Sequence, residues 1–364
     1  MEYIKLFRNH SDYEDFTSGG TMMKPNVAHC VNENEVHYNP IPHDYKKDYF
    51  TIESLEDNNT IYWEATNSNI RKTISASTDN GQTWTAFTAS YCDDDPMAEC
   101  LPTKIATLNV GEKALIKGEN SAYATSVAIY NYFSTNGQFE VKGNIMSLIS
   151  GDSFANADEL TIIHTFCSLF RGCTYLISAG NLVLPAITLS EYCYRNMFFG
   201  CTSLITPPKL LATKLEYQCC QSMFNGCSSL TTAPELPATT LAMNCYNSMF
   251  YGCTSLTVAP ELPATTLASN CYGYMFQNCT NLTTAPELPV TTLTDSCYRS
   301  MFQGCTSLNY IKCLATDISA SNCTTNWVIG VASSGTFVKN STATWNVTGV
   351  DGIPTGWTVE TALS

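Results

Sequence analysis

The chain has 364 residues, more than one domain usually needs, and 44% of them are hydrophobic, which is ample for buried cores. The 32 acidic residues outnumber the 18 basic ones, and a formal charge of −14 argues against electrostatic binding to nucleic acid or a membrane surface. The sequence contains no stretch of about 18 apolar residues, so no membrane insertion is expected.

The N-terminal segment, residues 1–48, has no internal repeat and too few regularly spaced apolar residues for a core of its own. It also lacks the apolar stretch of a secretory signal, so export through a signal peptide is not expected. We interpret it as an attachment segment that becomes ordered against a partner protein. Its aromatic residues are the candidate attachment residues: Tyr3, Phe7, Tyr13, Phe16 and Tyr38.

Residues 49–150 show a β pattern, in which short apolar or alternating runs are separated by turn residues. Eight such runs predict a β-sandwich-like domain. The runs are FTIESL, IYWEA, TISAST, TWTAFTA, IATLNV, KALIKG, AIYNYF and FEVKGNI.

One turn in this region, Ser77 to Trp84, matches the Asp-box pattern S-x-D-x-G-x-x-W of sialidase-like propellers. Physically the motif predicts a hairpin in which Asp79 accepts backbone N–H groups, Gly81 takes a positive φ and Trp84 packs beneath. A sialidase would need several such boxes and an arginine cluster, whereas this region offers only Arg71. The motif is therefore interpreted as structural, and a glycan-acting enzyme is the disfavoured alternative.

A repeat of 26 residues organises the rest of the chain, because two series of cysteines recur at that interval. One series is Cys193, Cys219, Cys245, Cys271, Cys297 and Cys323; the other is Cys201, Cys227, Cys253, Cys279 and Cys305. A unit of this length cannot bury its apolar residues alone, so stacking of about six units into a solenoid is predicted.

Within one unit, Leu241, Cys245 and Met249 lie at i, i+4 and i+8, a spacing that predicts a three-turn helix ending near Gly252. The following SLTVAPELP predicts a short extended segment. Pro208, Pro234, Pro260 and Pro286 recur inside that segment, and because proline donates no ladder hydrogen bond the strands must be very short.

The predicted fold class is therefore α+β: a β-rich, sandwich-like region followed by a solenoid of strand-helix repeats and a C-terminal cap. The predicted divisions are 1–48 for the attachment segment, 49–150 for the β domain, 151–325 for the repeats and 326–364 for the cap.

The units MFYGCTSLTVAPELPATTL and MFQNCTNLTTAPELPVTTL resemble the BspA-like leucine-rich repeats of surface proteins in anaerobic gut bacteria and protists, and in their phages. The resemblance covers about residues 160–360, including a tail similar to the terminal cap of such arrays. It implies a leucine-rich-repeat solenoid that binds other molecules, without naming the partner.

The segment YIKLFRNHSDYEDFTSGGTMMKPNVAHCVNENEVHYNP resembles N-terminal segments of structural proteins of phages of gut bacteria, including the crAss-like phages. This resemblance implies a place on a virion, as a fibre or decoration protein.

Two rows of equivalent residues are the candidate partner-binding surface. Glu235, Glu261 and Glu287 form an acidic row, which is either a solvated rim or a site for a cationic partner. Tyr246, Tyr272 and Tyr298 form an aromatic row, which is either packing or an exposed surface for a glycan or a protein.

The cysteine series are interpreted as reduced core residues, because a free cysteine packs as a small hydrophobe. No metal site, catalytic residue or cofactor is predicted, since neither the cysteines nor the histidines have metal-ligand spacing. Cys92 and Cys100 flank the acidic run DDDPMAE, and whether they pair stays open.

The first functional hypothesis is a non-enzymatic virion protein that docks on capsid or tail proteins through its N-terminal region. Its repeats would then face a host-surface protein or glycan, and homo-oligomerisation is compatible with this role. The second hypothesis is a bacterial cell-surface adhesin of the BspA-like type, which the lack of a signal peptide disfavours.

Overall fold

The computed structural model describes residues 29–32, 35–37, 44–91 and 101–362. Two compact units make up the chain, residues 1–44 and residues 45–364. The described part of the first unit is an antiparallel hairpin of β1 (His29–Asn32) and β2 (Glu35–His37). The candidate attachment residues Tyr3, Phe7, Tyr13, Phe16 and Tyr38, and the cysteines Cys92 and Cys100, lie outside the described residues.

All eight predicted strands of the β region are present in the second unit. They are β3 (Phe50–Ser54), β4 (Asn59–Ala65), β5 (Thr73–Ser77), β6 (Thr85–Thr88), β7 (Thr103–Leu108), β8 (Lys113–Lys117), β9 (Asn131–Thr135) and β10 (Phe139–Asn144). Strand β4 lies between β7 and β9 in one antiparallel sheet, and the other sheet has the order β10-β3-β8-β5-β6 in this region. Two short 3-10 helices, Tyr45–Lys47 and Ser68–Ile70, precede β3 and β5.

Aromatic side chains from the two sheets pack against each other. The Phe133 ring of β9 lies 4.5 Å from Trp63 in its own sheet and 5.5 Å from Phe50 in the other, measured between ring centroids. All three residues are fully buried. They alternate along their strands with more exposed residues, as strands with one buried face require. The two sheets thus share an aromatic core, as the two layers of a β-sandwich do.

The second sheet continues from the sandwich into the repeats. A short helix, α1 (Ser147–Ser150), and a 3-10 helix, Gly151–Asn156, follow β10. The next strands are β11 (Glu159–Leu160), β12 (Leu176–Leu184), β13 (Thr188–Leu189) and β14 (Lys209–Leu210). Strand β12 pairs in parallel with β10 on one side and with β14 on the other. The predicted boundary at residue 150 is therefore a change of sequence pattern inside the compact unit of residues 45–364.

The C-terminal part is a β-solenoid of about eight turns, more than the predicted six. Its last turns pair in parallel through β15 (Tyr310–Cys313), β16 (Thr336–Lys339) and β17 (Thr358–Thr361), so the region predicted as a cap continues the solenoid. Central turns are joined by single bridges, such as Thr232 with Val258 and Val258 with Thr284. The short strands demanded by the recurring prolines are confirmed.

The predicted helices of the repeats are wrong. In the segment predicted as a helix, residues 239–252, residues 243–252 form consecutive turns and the first four residues are extended or irregular. Left-handed residues recur every fourth position and interrupt any helix. In seven successive turns they are His164, Ser168 and Gly172; Tyr192, Asn196 and Gly200; Gln218, Ser222 and Gly226; Asn244, Ser248 and Gly252; Asn270, Tyr274 and Asn278; Ser296, Ser300 and Gly304; and Asn322, Asn326 and Gly330.

Backbone hydrogen bonds explain why this arrangement replaces the helix. The amide of Cys245 donates to the carbonyl of Ala242 in the same turn of the solenoid, at 3.2 Å. The amide of Asn244 donates to the carbonyl of Ser269 in the next turn, also at 3.2 Å. Odd and even residues alternate in this way from 244 to 252, so their amides are satisfied without a helix. The hydrogen bond from Cys245 to Ala242 closes a four-residue turn. The third residue of this turn, Asn244, has the positive φ that a type II turn requires at that position.

Identical side chains stack along the solenoid core. The phenylalanine row begins at Phe133 of the sandwich and continues through Phe170, Phe198, Phe224, Phe250, Phe276 and Phe302. Both cysteine series are buried and unpaired, as the core interpretation predicts for their location. The Cys279 thiol donates to the carbonyl of Phe250 at 3.1 Å, and the equivalent cysteines repeat this bond. Burial raises the pKa of Cys271 to about 12, so these thiols are poor nucleophiles in the folded chain.

Candidate binding surface of the solenoid

The predicted acidic row lies on the surface. Glu235, Glu261 and Glu287 occupy equivalent positions in three successive turns and are all exposed. Each glutamate follows a buried proline and precedes a buried leucine, so the chain anchors its backbone on both sides. This local pattern directs the carboxylates to solvent and holds their backbone on a rigid scaffold.

Two further rows of exposed side chains accompany the glutamates. One row is joined by the parallel bridges from Thr232 through Val258 to Thr284, and a bridge between Thr240 and Thr266 begins the other. We call the three rows together the Thr–Glu surface. Its residues are Thr232, Val258, Thr284, Glu235, Glu261, Glu287, Thr240, Thr266 and Thr292.

The charge of the acidic row is balanced only near its ends. Glu287 pairs with Lys312, with 3.0 Å between the carboxylate oxygen and Nζ, and exposed Lys209 occupies the equivalent position before Glu235. Glu235 and Glu261 have no ion pair within the described part of the chain. Turns stacked through β bridges are about 5 Å apart, where two carboxylates in water repel by roughly 1 kcal/mol. A cationic group placed between these two glutamates would relieve that repulsion.

The tyrosine row does not belong to the surface, and its assignment as an exposed binding site is corrected. Tyr246, Tyr272 and Tyr298 are only 1–2% exposed. Their rings stack at centroid distances of 6.1 and 6.3 Å and continue to Trp327. Burial raises the pKa of the Tyr246 hydroxyl well above its usual value. A repeated aromatic residue marks a row, but the repeat alone does not say whether that row faces inward.

The Asp-box forms the predicted hairpin between β5 and β6. The amide of Thr83 donates to the Asp79 carboxylate at 2.9 Å, and Gly81 has a φ of +86°. Trp84 packs on Gly81 and donates its indole N–H to the glycine carbonyl at 3.1 Å. Each of these contacts stabilises the turn itself, which is a structural role.

Two negative findings apply to the described residues. Ranges 44–91 and 101–362 contain no group of three or more His, Cys, Asp or Glu residues placed to hold a metal ion. No helix in the described part of the chain is long and apolar enough to cross a membrane.

Sequence reasoning missed a cationic and aromatic cluster on the first turns of the solenoid. Arg195 and Tyr192 lie where a central turn carries the small polar residues Asn247 and Asn244, and Arg299 recurs at the position of Arg195 in a later turn. The sequence signal for this cluster was that the early turns differ from the repeat unit at these positions.

Comparisons with known proteins returned little. No protein-family model and no curated protein matches the chain. Among solved structures, a leucine-rich-repeat protein of T. pallidum (TpLRR) is similar at 20% identity over 51% of this chain and 77% of that one. Its TM-score is 0.32, which is too low to carry an inference about fold or function.

Proposed function

We propose that this chain is a non-enzymatic binding protein whose solenoid presents the Thr–Glu surface to a host-surface protein or glycan. The observation that carries the proposal is the regular repetition of exposed residues in these rows. Equivalent exposed residues of three nearly identical turns form rows on a scaffold whose backbone is hydrogen-bonded from turn to turn. Rigid rows at regular spacing suit a partner that is itself repetitive or extended, because each added contact needs no further ordering of the scaffold.

We further propose that the protein is a virion component, a fibre or decoration protein, docked on capsid or tail proteins through its N-terminal region. The support is the resemblance of that segment to phage structural proteins, together with its few regularly spaced apolar residues. The compact unit 45–364 has an extensive core, so it is suited to carry the binding surface.

Charge reversal tests the binding role. We expect the double variant Glu235→Lys and Glu261→Lys to lose binding of the purified chain to host cells, because it replaces the two unpaired carboxylates of the row. Glu216→Lys is the matched control, since Glu216 is exposed elsewhere on the solenoid. Unchanged binding by the double variant would remove the Thr–Glu surface from the proposal.

Truncation tests the attachment role. The shortened chain should begin at Tyr45, not at Tyr49 as the sequence boundary suggests, because the amide of Asn144 donates to the carbonyl of Asp48 at 2.9 Å. We expect the shortened chain to keep the melting transition of the solenoid but to stop co-purifying with virion proteins. Retention on particles at the level of the full chain would move attachment to the sandwich or the solenoid.

A further inference from the structure

A pair of arginines is held by aromatic rings on the first turns of the solenoid. The guanidinium of Arg171 lies 4.2 Å from the centroid of the Phe199 ring, and that of Arg195 lies 5.7 Å from the centroid of Tyr192. Arg195 also donates to the side-chain oxygen of Gln218 in the next turn. Cation–π contacts of this kind orient the flat guanidinium and restrict its motion before any partner arrives.

The rings that hold Arg195 are themselves fixed. Tyr192 stacks on His164 of the preceding turn, with ring centroids 4.4 Å apart and planes within 11° of parallel. Tyr217 of the following turn meets Tyr192 edge-on at 5.4 Å, and its hydroxyl accepts a hydrogen bond from Gln218 at 2.8 Å. Three successive turns thus contribute to one rigid cluster.

Neither arginine has a carboxylate partner among the described residues, although the chain is strongly acidic overall. Arg171 donates no side-chain hydrogen bond within the described part of the chain, and the buried Nε of Arg195 has no acceptor there. Glu191, exposed on the same turn as Tyr192, forms no ion pair with either guanidinium in these ranges. Apart from the buried Nε of Arg195, the N–H donors of the pair that have no acceptor in this part of the chain can serve an external anion.

The two arginines lie on adjacent turns that Ser168 links: its amide donates to the carbonyl of Arg195 at 3.0 Å, and its carbonyl accepts from the amide of Arg171 at 3.0 Å. Burial lowers the pKa of Arg195, and the positive charge of Arg171 makes a smaller contribution in the same direction. Two like charges held side by side on a half-buried surface are unfavourable unless solvent or an anion compensates them. An acidic group bound between them would remove this cost.

We propose that Arg171 and Arg195 form an anion-binding surface that receives an acidic segment of a partner protein, through its Asp or Glu carboxylates. The composition fits, because arginine and tyrosine are the residues most enriched at the energetic centres of protein interfaces. The guanidinium fork matches a carboxylate in a bidentate arrangement, which a solvated lysine would not.

The ring contacts favour a protein partner over an acidic polysaccharide. A sugar usually stacks on an open aromatic face, whereas Phe199 already carries Arg171 and Tyr192 already carries His164. The cluster instead offers the N–H donors of its guanidinium groups, which favour a charged and planar group such as a carboxylate. This surface shares no residue with the Thr–Glu surface, so a failure of one proposal would not contradict the other.

The experiment uses the full chain and a fluorescent hexaglutamate peptide, with binding followed by fluorescence anisotropy at low salt. We expect saturable binding that weakens as salt is added. Arg171→Gln and Arg195→Gln should each weaken it by about tenfold, the loss expected for one charge-assisted contact. Arg299→Gln is the matched control, because Arg299 lies 5.8 Å from the Tyr274 ring on a later turn, and it should bind like the parent chain.

A hexaglutamine peptide and a heparin fragment complete the test. The glutamine peptide should not bind, since it lacks the charge. Equal loss of binding in the Arg299→Gln control would show only diffuse attraction and would overturn the proposal. Heparin binding that depends on Arg171 and Arg195, without hexaglutamate binding, would assign the surface to acidic polysaccharides instead. Melting midpoints of the variants must match the parent, so that loss of binding is not loss of fold.

Discussion

The sandwich and the solenoid both bury a continuous aromatic core, but they differ in how their strands pair and how their core side chains pack. In the sandwich, each strand pairs with a partner of different sequence, as β3 does with β8 and β10, and each core ring meets unlike neighbours. In the solenoid, each turn bonds to a near-copy of itself, and Phe250 stacks on two other phenylalanines at 5.7 and 5.8 Å. The side chain that fits a core position of the sandwich therefore depends on neighbours found only there. The side chain that fits a core position of the solenoid depends on the identical residues in the adjacent turns.

The two regions are also one structure, because the phenylalanine row begins in the sandwich. Phe133 of β9 stacks on Phe170 of the first turn at 5.9 Å and packs against Trp63 in the sandwich core. The parallel pairing of β10 with β12 joins the backbones at the same junction. The sandwich thus covers the end of the solenoid that would otherwise expose its first row, which is the role of a capping unit in repeat proteins.

The largest expected effect comes from removing one ring of the row. Phe250→Ala should cost about 3–5 kcal/mol of unfolding free energy, because the ring is fully buried between two copies of itself. The damage should spread to neighbouring turns and leave the sandwich strands protected. Thermal melting measures the cost, and hydrogen exchange followed by mass spectrometry locates it.

Phe133→Ala is the matched variant at the junction. Since Phe133 contacts rings of both regions, its loss should reduce hydrogen-exchange protection in the sandwich and in the first turns together. If Phe250→Ala leaves the melting midpoint unchanged, or lowers protection equally in all strands, the distinction between the two regions fails.

A smaller effect is expected at the left-handed positions. Ser248 has a φ of +56°, a region that a β-branched side chain strongly disfavours. Ser248→Val should therefore cost about 1–2 kcal/mol, and Ser248→Gly, which removes the steric conflict, should cost much less. Urea unfolding of the pair measures the difference. Equal stability of the two variants would mean that the turns tolerate another backbone conformation.

These left-handed positions also mark the limit of what the sequence could predict. The strands of the sandwich were predictable because alternating apolar residues and turn residues act locally. The repeats were predictable as rows, but Leu241, Cys245 and Met249 satisfy a helix and a chain of four-residue turns equally well. The deciding signal was Asn244, Ser248 and Gly252, residue types common in turns, two of which tolerate positive φ well.

The candidate surface was predictable only in part, for a related reason. A repeat period identifies equivalent residues but not the direction of their side chains. Charge resolved this for Glu235, Glu261 and Glu287, because unpaired carboxylates are rarely buried. Tyrosine has an apolar ring and a polar hydroxyl, so Tyr246 gave no such signal and proved to be core. The arginine pair escaped notice because neither residue belongs to a row of identical residues in successive turns.

A local effect of pH is expected in the sandwich hairpin. Hydrogen bonds from Ser77 and then Thr83 lower the pKa of Asp79 to about 2, below its usual value of 3.8. Because the folded-state pKa is the lower one, the contribution of the carboxylate is complete above about pH 4 and is lost as the pH falls toward 2. The amide resonance of Thr83 should shift with that midpoint. Asp79→Asn should remove the transition, and a midpoint near 4 would show that the hydrogen bonds are weak.

The smallest effect is expected at the ion pair that ends the acidic row. Glu287 and Lys312 are 3.0 Å apart, but their side chains are 50% and 31% exposed, so solvent screens their attraction and side-chain ordering offsets part of it. In a double-mutant cycle, Lys312→Met and Glu287→Gln should show a coupling of about 0.5 kcal/mol or less in chemical unfolding. A row residue can therefore be exchanged at little cost in stability, whereas Phe250 cannot. This difference separates the proposed binding surface of the solenoid from its core. A coupling above about 1 kcal/mol would mean that the acidic row is a structural element, and that the Thr–Glu surface helps to hold the turns together.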